Sequence, residues 1–320
     1  MVSVIIAAPP DMVEVQAVAA ARKLDYPAER LEIIVARGRQ PSVQRNAALR
    51  SARGEWIYFL DDDAMPDGGN LRRIEKHFAD PNVAIMGGPN LCPPDAPERE
   101  QVFAVVLASW LAFGPSRARY APVGGERSAG EKELILCNLL ARRTTLLELG
   151  GFNEALYPNE ENALMDELQK RGQRLIYVPQ FWVHRRPRRT LHAFTKMLRT
   201  YGRGRAEQFR LHPTPGSLLN FVPPLFCLYL VGLMAALFLG LPGWLCWLAV
   251  APLLMYLLAV LGQTVISMRT AGAVRAWLAL PLLAASHIFY GLGFWLGLFT
   301  ALKKPGKTAR PEVILERMPV

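Results

Sequence analysis

Three consecutive carboxylates, Asp61, Asp62 and Asp63, follow the apolar run Trp56–Leu60 without a break. Side by side they repel one another, so the cluster wants a cation. Asp61 and Asp63, two positions apart, offer the hard oxygen ligands that Mg2+ and Mn2+ take, and such an ion keeps waters and binds a substrate diphosphate. An acidic turn ahead of a helix near Leu71 is the plainer account of the same residues, and Asp67 alone would serve it. Position favours the first account, because open α/β sheets bind ligands at the carboxyl ends of their strands. A second concentration of charge is His184–Arg210, with nine Lys and Arg residues against one acid, Glu207. Leu191, Phe194, Leu198 and Tyr201 interleave there at helical spacing, the pattern of an amphipathic helix on an anionic membrane surface. The same pattern also suits a solvated helix with its apolar seam against a soluble domain.

Elements able to position these groups are legible around them. Val2–Ala7, Leu31–Ala36, Trp56–Leu60 and Val83–Met86 are short apolar, largely β-branched or aromatic runs and read as buried strands. Between them, Asp11–Leu24 (with Asp11 as cap), Ser42–Ala52 (with Ser42 as cap) and Leu71–Ala79 read as helices. The alternation implies a mostly parallel, doubly wound sheet. Leu91–Glu133 breaks the rhythm, being rich in Pro, Gly and Arg around the apolar Val102–Phe113, and reads as an irregular connection between two half-domains or as a long lid or binding segment. Beyond it come a strand at Leu134–Leu140, a helix at Thr144–Leu149 stopped by Gly150-Gly151, a helix at Glu160–Arg171 ended by Gly172, and a strand at Arg174–Val178.

Lys and Arg number 37 against 27 Asp and Glu, a net charge of +10 in 320 residues of which 51% are apolar. That apolar share excludes a disordered chain, and the length allows about two domains. Cys92, Cys137, Cys227 and Cys246 share no short spacing, which excludes a disulfide scaffold or a CxxC-type zinc site and fits a reducing compartment. Leu218–Met268 has no charged residue in 51 positions, and Ala276–Leu302 is interrupted only by His287 in 27. About 20 apolar residues cross a hydrocarbon core, so a membrane protein with a soluble N-terminal domain is expected. Met1–Ala7 has no basic region and too short an apolar run for a signal peptide, so the soluble part is expected in the cytoplasm. Leu218–Leu241 and Trp244–Ser267 read as two spans joined at Pro242-Gly243, with Arg269 and Arg275 marking the cytoplasmic side. The third segment has positive flanks at both ends, Arg275 and Lys303-Lys304. It reads either as a third span or as a re-entrant hairpin bent at Pro281 and its glycines.

Five segments, in this order, give the chain a resemblance to a known family. They are VSVII after Met1, LDYPAERLEIIV at 24–35, QRNAALRSARGEWIYFLDDDAMPD at 44–67, LCNLLARRTTLLELGGFNE at 136–154 and PNEENALMDELQKRGQRLIYVP at 158–179. Together they resemble family 2 glycosyltransferases of the GT-A fold across about residues 2–210. The resemblance implies an α/β, Rossmann-like, mostly parallel catalytic domain followed by C-terminal transmembrane helices. It implies that Asp61 and Asp63 hold Mg2+ or Mn2+ on a nucleotide-sugar diphosphate, with Asp62 beside them and Arg45 available to phosphates. Glu160-Glu161 stands where the family has a Glu-Asp pair, which makes Glu161 the implied general base. Glycosyl transfer needs an acceptor hydroxyl deprotonated as it attacks, and a carboxylate at a helix start can do that for roughly 10²–10⁴ in rate. By the same resemblance Asn138 lies near the donor sugar and His184 at a further metal or diphosphate contact. The QxxRW motif of processive synthases is absent from the sequence. The region of Arg199, Arg203 and Arg205 instead resembles members that add single sugars to lipid-linked intermediates, which makes these arginines candidates for a lipid diphosphate. The same charges would also anchor a helix to anionic headgroups.

The chain also departs from the family pattern. Its first strand ends Ala7-Ala8-Pro9-Pro10, and its second runs into Ala36-Arg37-Gly38-Arg39 where many members carry paired Asp, so the nucleobase must be read differently. Arg37 and Arg39 are further candidates for phosphate. The expectation is a catalytic domain at 1–190, a basic interfacial segment at 191–217, a membrane domain at 218–302 and a basic tail at 303–320. The activity expected is inverting, metal-dependent transfer of one sugar to a membrane-embedded, polyprenyl-diphosphate-linked acceptor in cell-surface glycan assembly, at the cytoplasmic face of a bacterial-type inner membrane. A polyprenyl-phosphate sugar synthase and a catalytically silent membrane partner are the rivals. Nucleic acid is not an expected partner, because the basic segment carries no recognisable binding motif and adjoins the spans.

Overall fold

The computed structural model describes residues 1–154, 160–211, 213, 215–239, 242–302 and 312–320. In chain order its strands are β1 (Val2–Ala8), β2 (Leu31–Arg37), β3 (Trp56–Asp61), β4 (Met65–Pro66), β5 (Val83–Gly87), β6 (Asn90–Leu91), β7 (Arg127–Ser128), β8 (Asn138–Arg142), β9 (Arg174–Tyr177), β10 (Val183–His184) and β11 (Ile314–Met318). Its α-helices are α1 (Gln16–Ala21), α2 (Pro41–Ser51), α3 (Asn70–Ile74), α4 (Glu98–Leu107), α5 (Trp110–Phe113), α6 (Arg143–Glu148), α7 (Glu160–Lys170), α8 (Leu191–Leu211), α9 (Val222–Phe238), α10 (Gly243–Ala271) and α11 (Ala273–Phe299). Two compact units result. The first is Met1–Pro93, Pro115–Arg186 and the described residues of Lys303–Val320; the second is Pro94–Gly114 with Pro187–Leu302.

The first unit is built on a sheet of order β11-β2-β1-β3-β8-β5-β9-β7. β1, β2, β3, β5 and β9 share one direction, while β8, β7 and β11 run against it. Both faces are buried: Val4, Ile6, Tyr58 and Leu60 pack on one side, and Ile5, Ile34, Ile57 and Phe59 on the other. Burial on both faces is why these strands read as continuous apolar runs. β3 ends at Asp61, level with Ala7 of β1. A small second sheet, β4-β10-β6, sets His184 opposite Met65, just beyond the acidic cluster.

Several local expectations are corrected. The first helix starts only after Val15, with no side-chain cap, so Asp11 lies outside it. α2 opens on Pro41, the residue whose missing N–H costs nothing at that position, and Ser42 is inside the helix rather than its cap. β8 starts at Asn138, four residues later than expected. Leu91–Glu133 is not irregular: it contains α4 and α5, and Pro94–Gly114 groups with the second unit.

The expected basic tail supplies a strand. β11 pairs antiparallel with the edge strand β2, from Ile314 opposite Arg37 to Met318 opposite Ile33. Lys303, Lys304, Lys307 and Arg310 lie outside the described residues. Arg37, a candidate for phosphate, is instead engaged by Glu316 Oε1 at 2.6 Å and by the Met12 carbonyl at 2.6 Å. Glu32 of β2 is buried and gathers Ser3 Oγ (2.6 Å), Arg53 N and Nε (both 3.0 Å) and Arg317 Nε (3.0 Å). Burial pushes its carboxyl up, but these donors outweigh burial and hold it at about 2. A depressed acid stabilises the fold fully above its unfolded value and loses that contribution as pH falls through the folded one. Glu32→Gln is therefore expected to cost about 2–3 kcal/mol at neutral pH. Thermal melts between pH 5 and 2 should show a shallower acid loss in the variant than in the parent.

In the second unit α8 and α11 meet backbone to backbone. A Cβ on Gly202 would stand 2.0 Å from the Tyr290 oxygen, one on Gly293 2.0 Å from the Arg199 oxygen, and one on Gly297 2.4 Å from the Arg203 oxygen. Small residues permit such approach between helices. The seam of α8, Phe194, Leu198, Gly202 and Ala206, is buried, and Phe194 stacks on Phe103 of α4 with ring centroids 4.3 Å apart. The seam is thus covered by protein of its own unit. Gly293→Val is expected to force the helices apart and cost at least about 1–3 kcal/mol. A detergent-phase melt should register this, with Gly232→Val as control because nothing stands within 4 Å of a Cβ there. Among the described residues three helical segments, Ser217–Ala236, Gly243–Ala271 and Ala273–Phe299, are long and apolar enough to cross a membrane. The last is one unbroken helix with Pro281 inside it, so the bent hairpin is not formed.

Candidate active site

The site lies in the first unit, at the carboxyl end of β3. The chain turns directly after Asp61, whose carbonyl accepts from Ala64 N at 3.1 Å. Arg185, the residue after β10, reaches both outer carboxylates: its Nη1 lies 3.1 Å from Asp61 Oδ2 and its Nε 2.5 Å from Asp63 Oδ1. Burial opposes the charge of Arg185, and Asp61, Cys137 and Asp63 overcome that opposition, so its guanidinium stays charged. Arg45, buried on α2, sets Nη2 3.0 Å from Asp61 Oδ1 and Nη1 3.2 Å from Glu160 Oε1. Asp63, Arg185, Asp61, Arg45 and Glu160 therefore form one line of alternating charge. Asp62 is half-buried, and its carboxyl is pushed up by burial and by Asp63 and Asp61. Cys137, fully enclosed below the cluster, has its thiol pushed up to about 12 by burial, with Asp61 adding to it.

Consecutive residues of α2 fix three parts of this site. Gln44 Nε2 donates to the Ala8 and Ala36 carbonyls at 2.8 and 2.6 Å, closing the ends of β1 and β2. Arg45 bridges the two acids. Asn46 Nδ2 donates to the Phe152 carbonyl at 2.8 Å while its Oδ1 accepts from Phe152 N at 2.8 Å. Gly151 permits this approach: its φ is +82°, and a Cβ there would stand 2.4 Å from Asn46 Oδ1. Residues 155–159, which lead into Glu160, lie outside the described residues.

Glu160 opens α7 and is 3% exposed. Its Oε1 faces Arg45, while its Oε2 has no hydrogen-bond partner among the described residues. Burial first, then the neighbouring Glu161, raise its carboxyl to about 7 against the pull of Arg45. Glu161 is half-buried on the same first turn. Arg119 holds that turn, with Nη2 2.5 Å from Asn162 Oδ1 and 2.5 Å from the Glu131 carbonyl.

The expected residues thus divide. Asp61, Asp63, Arg45 and Glu160 are brought together, with Asp62 and Glu161 adjacent in sequence to members of the group. Asn138 is not available to a donor: its Oδ1 accepts from Tyr58 Oη at 2.7 Å and its Nδ2 donates to the Phe181 carbonyl at 2.6 Å inside the core. His184 sits on β10, but among the described residues no three His, Cys, Asp or Glu side chains converge on a metal position. The residue after it, Arg185, is the one that reaches the carboxylates. Arg199, Arg203 and Arg205 lie on α8 in the second unit, where Arg203 pairs with Glu207 at 3.4 Å and Arg205 donates to Gln208 Oε1 at 3.1 Å. Arg185 was missed because it reads as the first of a basic run, and only the long-range pairing of β10 with β4 shows where it lands.

Two carboxylate oxygens, Asp61 Oδ2 and Asp63 Oδ1, already converge on one cationic group. Two hard oxygen donors suit Mg2+ or Mn2+, ions that complete their shells with phosphate oxygens and water, so the chemistry of these donors fits a divalent ion.

Residues 56–262 match the family model for glycosyl transferase family group 2. The chain belongs to that family. It is 28% identical over 173 residues to the pre-mycofactocin glycosyltransferase of Mycobacterium tuberculosis, a match covering 54% of this chain and 36% of that protein. The chain thus spans little more than a third of the curated relative it matches. Among solved structures it is similar to the mannosyltransferase PcManGT from Pyrobaculum calidifontis, in complex with GDP-Man and Mn2+, with a TM-score of 0.57 and 19% identity over 87% of this chain and 86% of that one. That likeness establishes the α/β glycosyltransferase fold, sheet and C-terminal apolar helices included.

Proposed function

We propose that this protein is an inverting, metal-dependent glycosyltransferase that moves one sugar from a nucleotide-diphosphate donor to a membrane-embedded, polyprenyl-diphosphate-linked acceptor for cell-surface glycan assembly. The observation that carries this reading is the line of charge at the end of β3, where Asp61 and Asp63 converge on one cationic position and Arg45 links Asp61 to Glu160. Asp61 and Asp63 would hold the divalent ion, which supplies charge neutralisation for the departing diphosphate. Arg185 adds positive charge beside that leaving group, and Arg45 fixes Asp61 so that its free energy of reorganisation is small when charge develops. Glu161 takes the proton of the acceptor hydroxyl, and Glu160 sets the charge behind it. Attachment through the apolar helices keeps the acceptor hydroxyl near the domain, at the cytoplasmic face of the inner membrane.

Nucleotide binding tests this without knowledge of the acceptor. The full chain in detergent is titrated with UDP, GDP, dTDP and CDP, with and without Mn2+, beside Asp63→Asn. Binding of one nucleotide that depends on metal and weakens at least about tenfold in the variant is expected. A folded protein that binds none of the four would instead be a silent partner retaining the fold.

A further inference from the structure

Three apolar helices invite a count of three crossings, and the structure argues for two. β11 lies in the same sheet as β1, β2 and β3, so residues 314–318 and the N-terminal residues are on one side of any bilayer. Everything between them must cross an even number of times. One of the three long apolar helices therefore does not traverse.

The contacts within the second unit show which one. At the start of α11, Arg275 Nε and Nη2 donate to Glu98 Oε1 and Oε2 of α4 at 2.9 and 3.0 Å. Midway, His287 Nε2 is 2.9 Å from the Leu111 carbonyl of α5. At its end, Arg210 of α8 donates to the Gly297 and Thr300 carbonyls at 3.0 and 2.5 Å. α4 has 10 residues and α5 has 4, too short to cross. Both lie in an insertion that leaves and rejoins the first unit. α8 carries Lys196, Arg199, Arg203, Arg205 and Arg210, charges that a crossing helix would bring into hydrocarbon. Both ends of α11 are thus held by elements that never left the side of the first unit.

Burial agrees. Of the most apolar stretch of each helix, 6% is buried in α10 and 17% in the α9 segment, against 39% in α11. α9 and α10 leave most of their apolar side chains exposed, and they meet at Tyr229, whose hydroxyl donates to the Ala249 carbonyl at 2.7 Å and accepts from Leu253 N at 3.0 Å. That hydroxyl fills the gap beside Pro252 in the helix ladder. α10 has 29 residues, about 43 Å at the helical rise, longer than the roughly 30 Å of hydrocarbon. Its last turns, however, carry Gln263, which accepts from Leu111 N at 3.2 Å, then Thr264 and Ser267, all buried. Exposed apolar side chains run along the helix from Trp244 to Ile266, enough for one crossing with a tilt. α11 is different: Ala279, Leu283 and Gly291 are buried on protein, while Val274, Leu278, Leu292 and Phe299 form one exposed apolar stripe.

We infer that the chain crosses the bilayer twice, through α9 and α10, and that α11 lies along the leaflet on the side of the first unit, its exposed stripe contacting lipid at interfacial depth. This arrangement puts Arg210, Arg269 and Arg275 on one side, as the positive-inside rule asks.

Single cysteines are placed at Val13, Gly243 and Ala301 in the full chain with Cys92, Cys137, Cys227 and Cys246 replaced, and an impermeant maleimide is applied to sealed vesicles of known orientation. Val13 and Ala301 are expected to label from one side and Gly243 from the other. Labelling of Ala301 with Gly243, or of all three together, overturns the inference. An epitope tag after Val320, probed by protease in vesicles with the native cysteines retained, repeats the test without them. Protection of that tag while the N-terminal domain is digested also overturns it. Spin labels at Leu254 and Leu292 read depth directly: Leu254 is expected deep and Leu292 near the headgroups, and a deep Leu292 sinks the placement of α11.

Discussion

Replacing Asp61 by Asn should lower transfer on the order of 10³-fold, the effect of removing one preorganised electrostatic partner from a transition-state site. Both oxygens of Asp61 are in use, Oδ1 by Arg45 at 3.0 Å and Oδ2 by Arg185 at 3.1 Å. Asparagine keeps the shape but removes the charge that balances two guanidinium groups, and it offers one oxygen where the site uses two. Asp63 pairs with Arg185 and is more exposed than Asp61, so Asp63→Asn should fall short of Asp61→Asn in its effect on rate. Asp62→Asn is the control, expected within about tenfold of the parent. The measurement is kcat with the donor identified by nucleotide titration, paired with a melt, because removing one partner from a buried charge network also destabilises. If Asp61→Asn keeps its melt and a rate within tenfold of the parent, the cluster is an acidic turn and not the donor site.

How much of this was readable in advance follows from which forces are local. The runs at Val2–Ala7, Leu31–Ala36 and Trp56–Leu60 are strands because both faces of the sheet are covered, and that requirement is written in composition alone. Asp61 and Asp63 were legible for the same reason, standing where a buried strand meets solvent. Arg185 was not: its role depends on β10 pairing with β4, a contact between residues more than a hundred positions apart. β11 was hidden in a charged tail, since Arg317 and Glu316 look like solvated residues until Glu32 and Arg37 appear opposite them. The seam of α8 was visible as periodicity, but periodicity does not name the partner, and the glycines at 293 and 297 were read as points of bending when they permit contact. Asn138 shows the converse error, a residue carried over by resemblance whose amide is consumed by Tyr58 and Phe181.

The pair Glu160-Glu161 offers the second large effect, and a means of separating two carboxylates that sequence alone treats alike. Glu161→Gln should reduce kcat by about 10²–10⁴, the range for loss of a general base, with little change in donor affinity. Glu160→Gln should act differently, because Glu160 is buried against Arg45 and its carboxyl is raised to about 7 by burial and by Glu161. An acid whose folded value lies above its unfolded one is favoured in its protonated form by the fold, so the folded state loses stability as pH rises from near 4.5 through about 7. The parent should therefore melt at a lower temperature at pH 8 than at pH 5.5 on account of this group, and Glu160→Gln, neutral throughout, should flatten that slope. Its rate should also lose the component of the pH profile centred near 7, since ionisation of Glu160 no longer changes the charge facing Arg45 and Asp61. The reverse result, with transfer intact in Glu161→Gln and lost in Glu160→Gln, would move the base to Glu160, whose Oε2 has no hydrogen-bond partner among the described residues. Full activity in both variants would remove the need for a base altogether and point to an acceptor that arrives already ionised, such as a bare lipid phosphate.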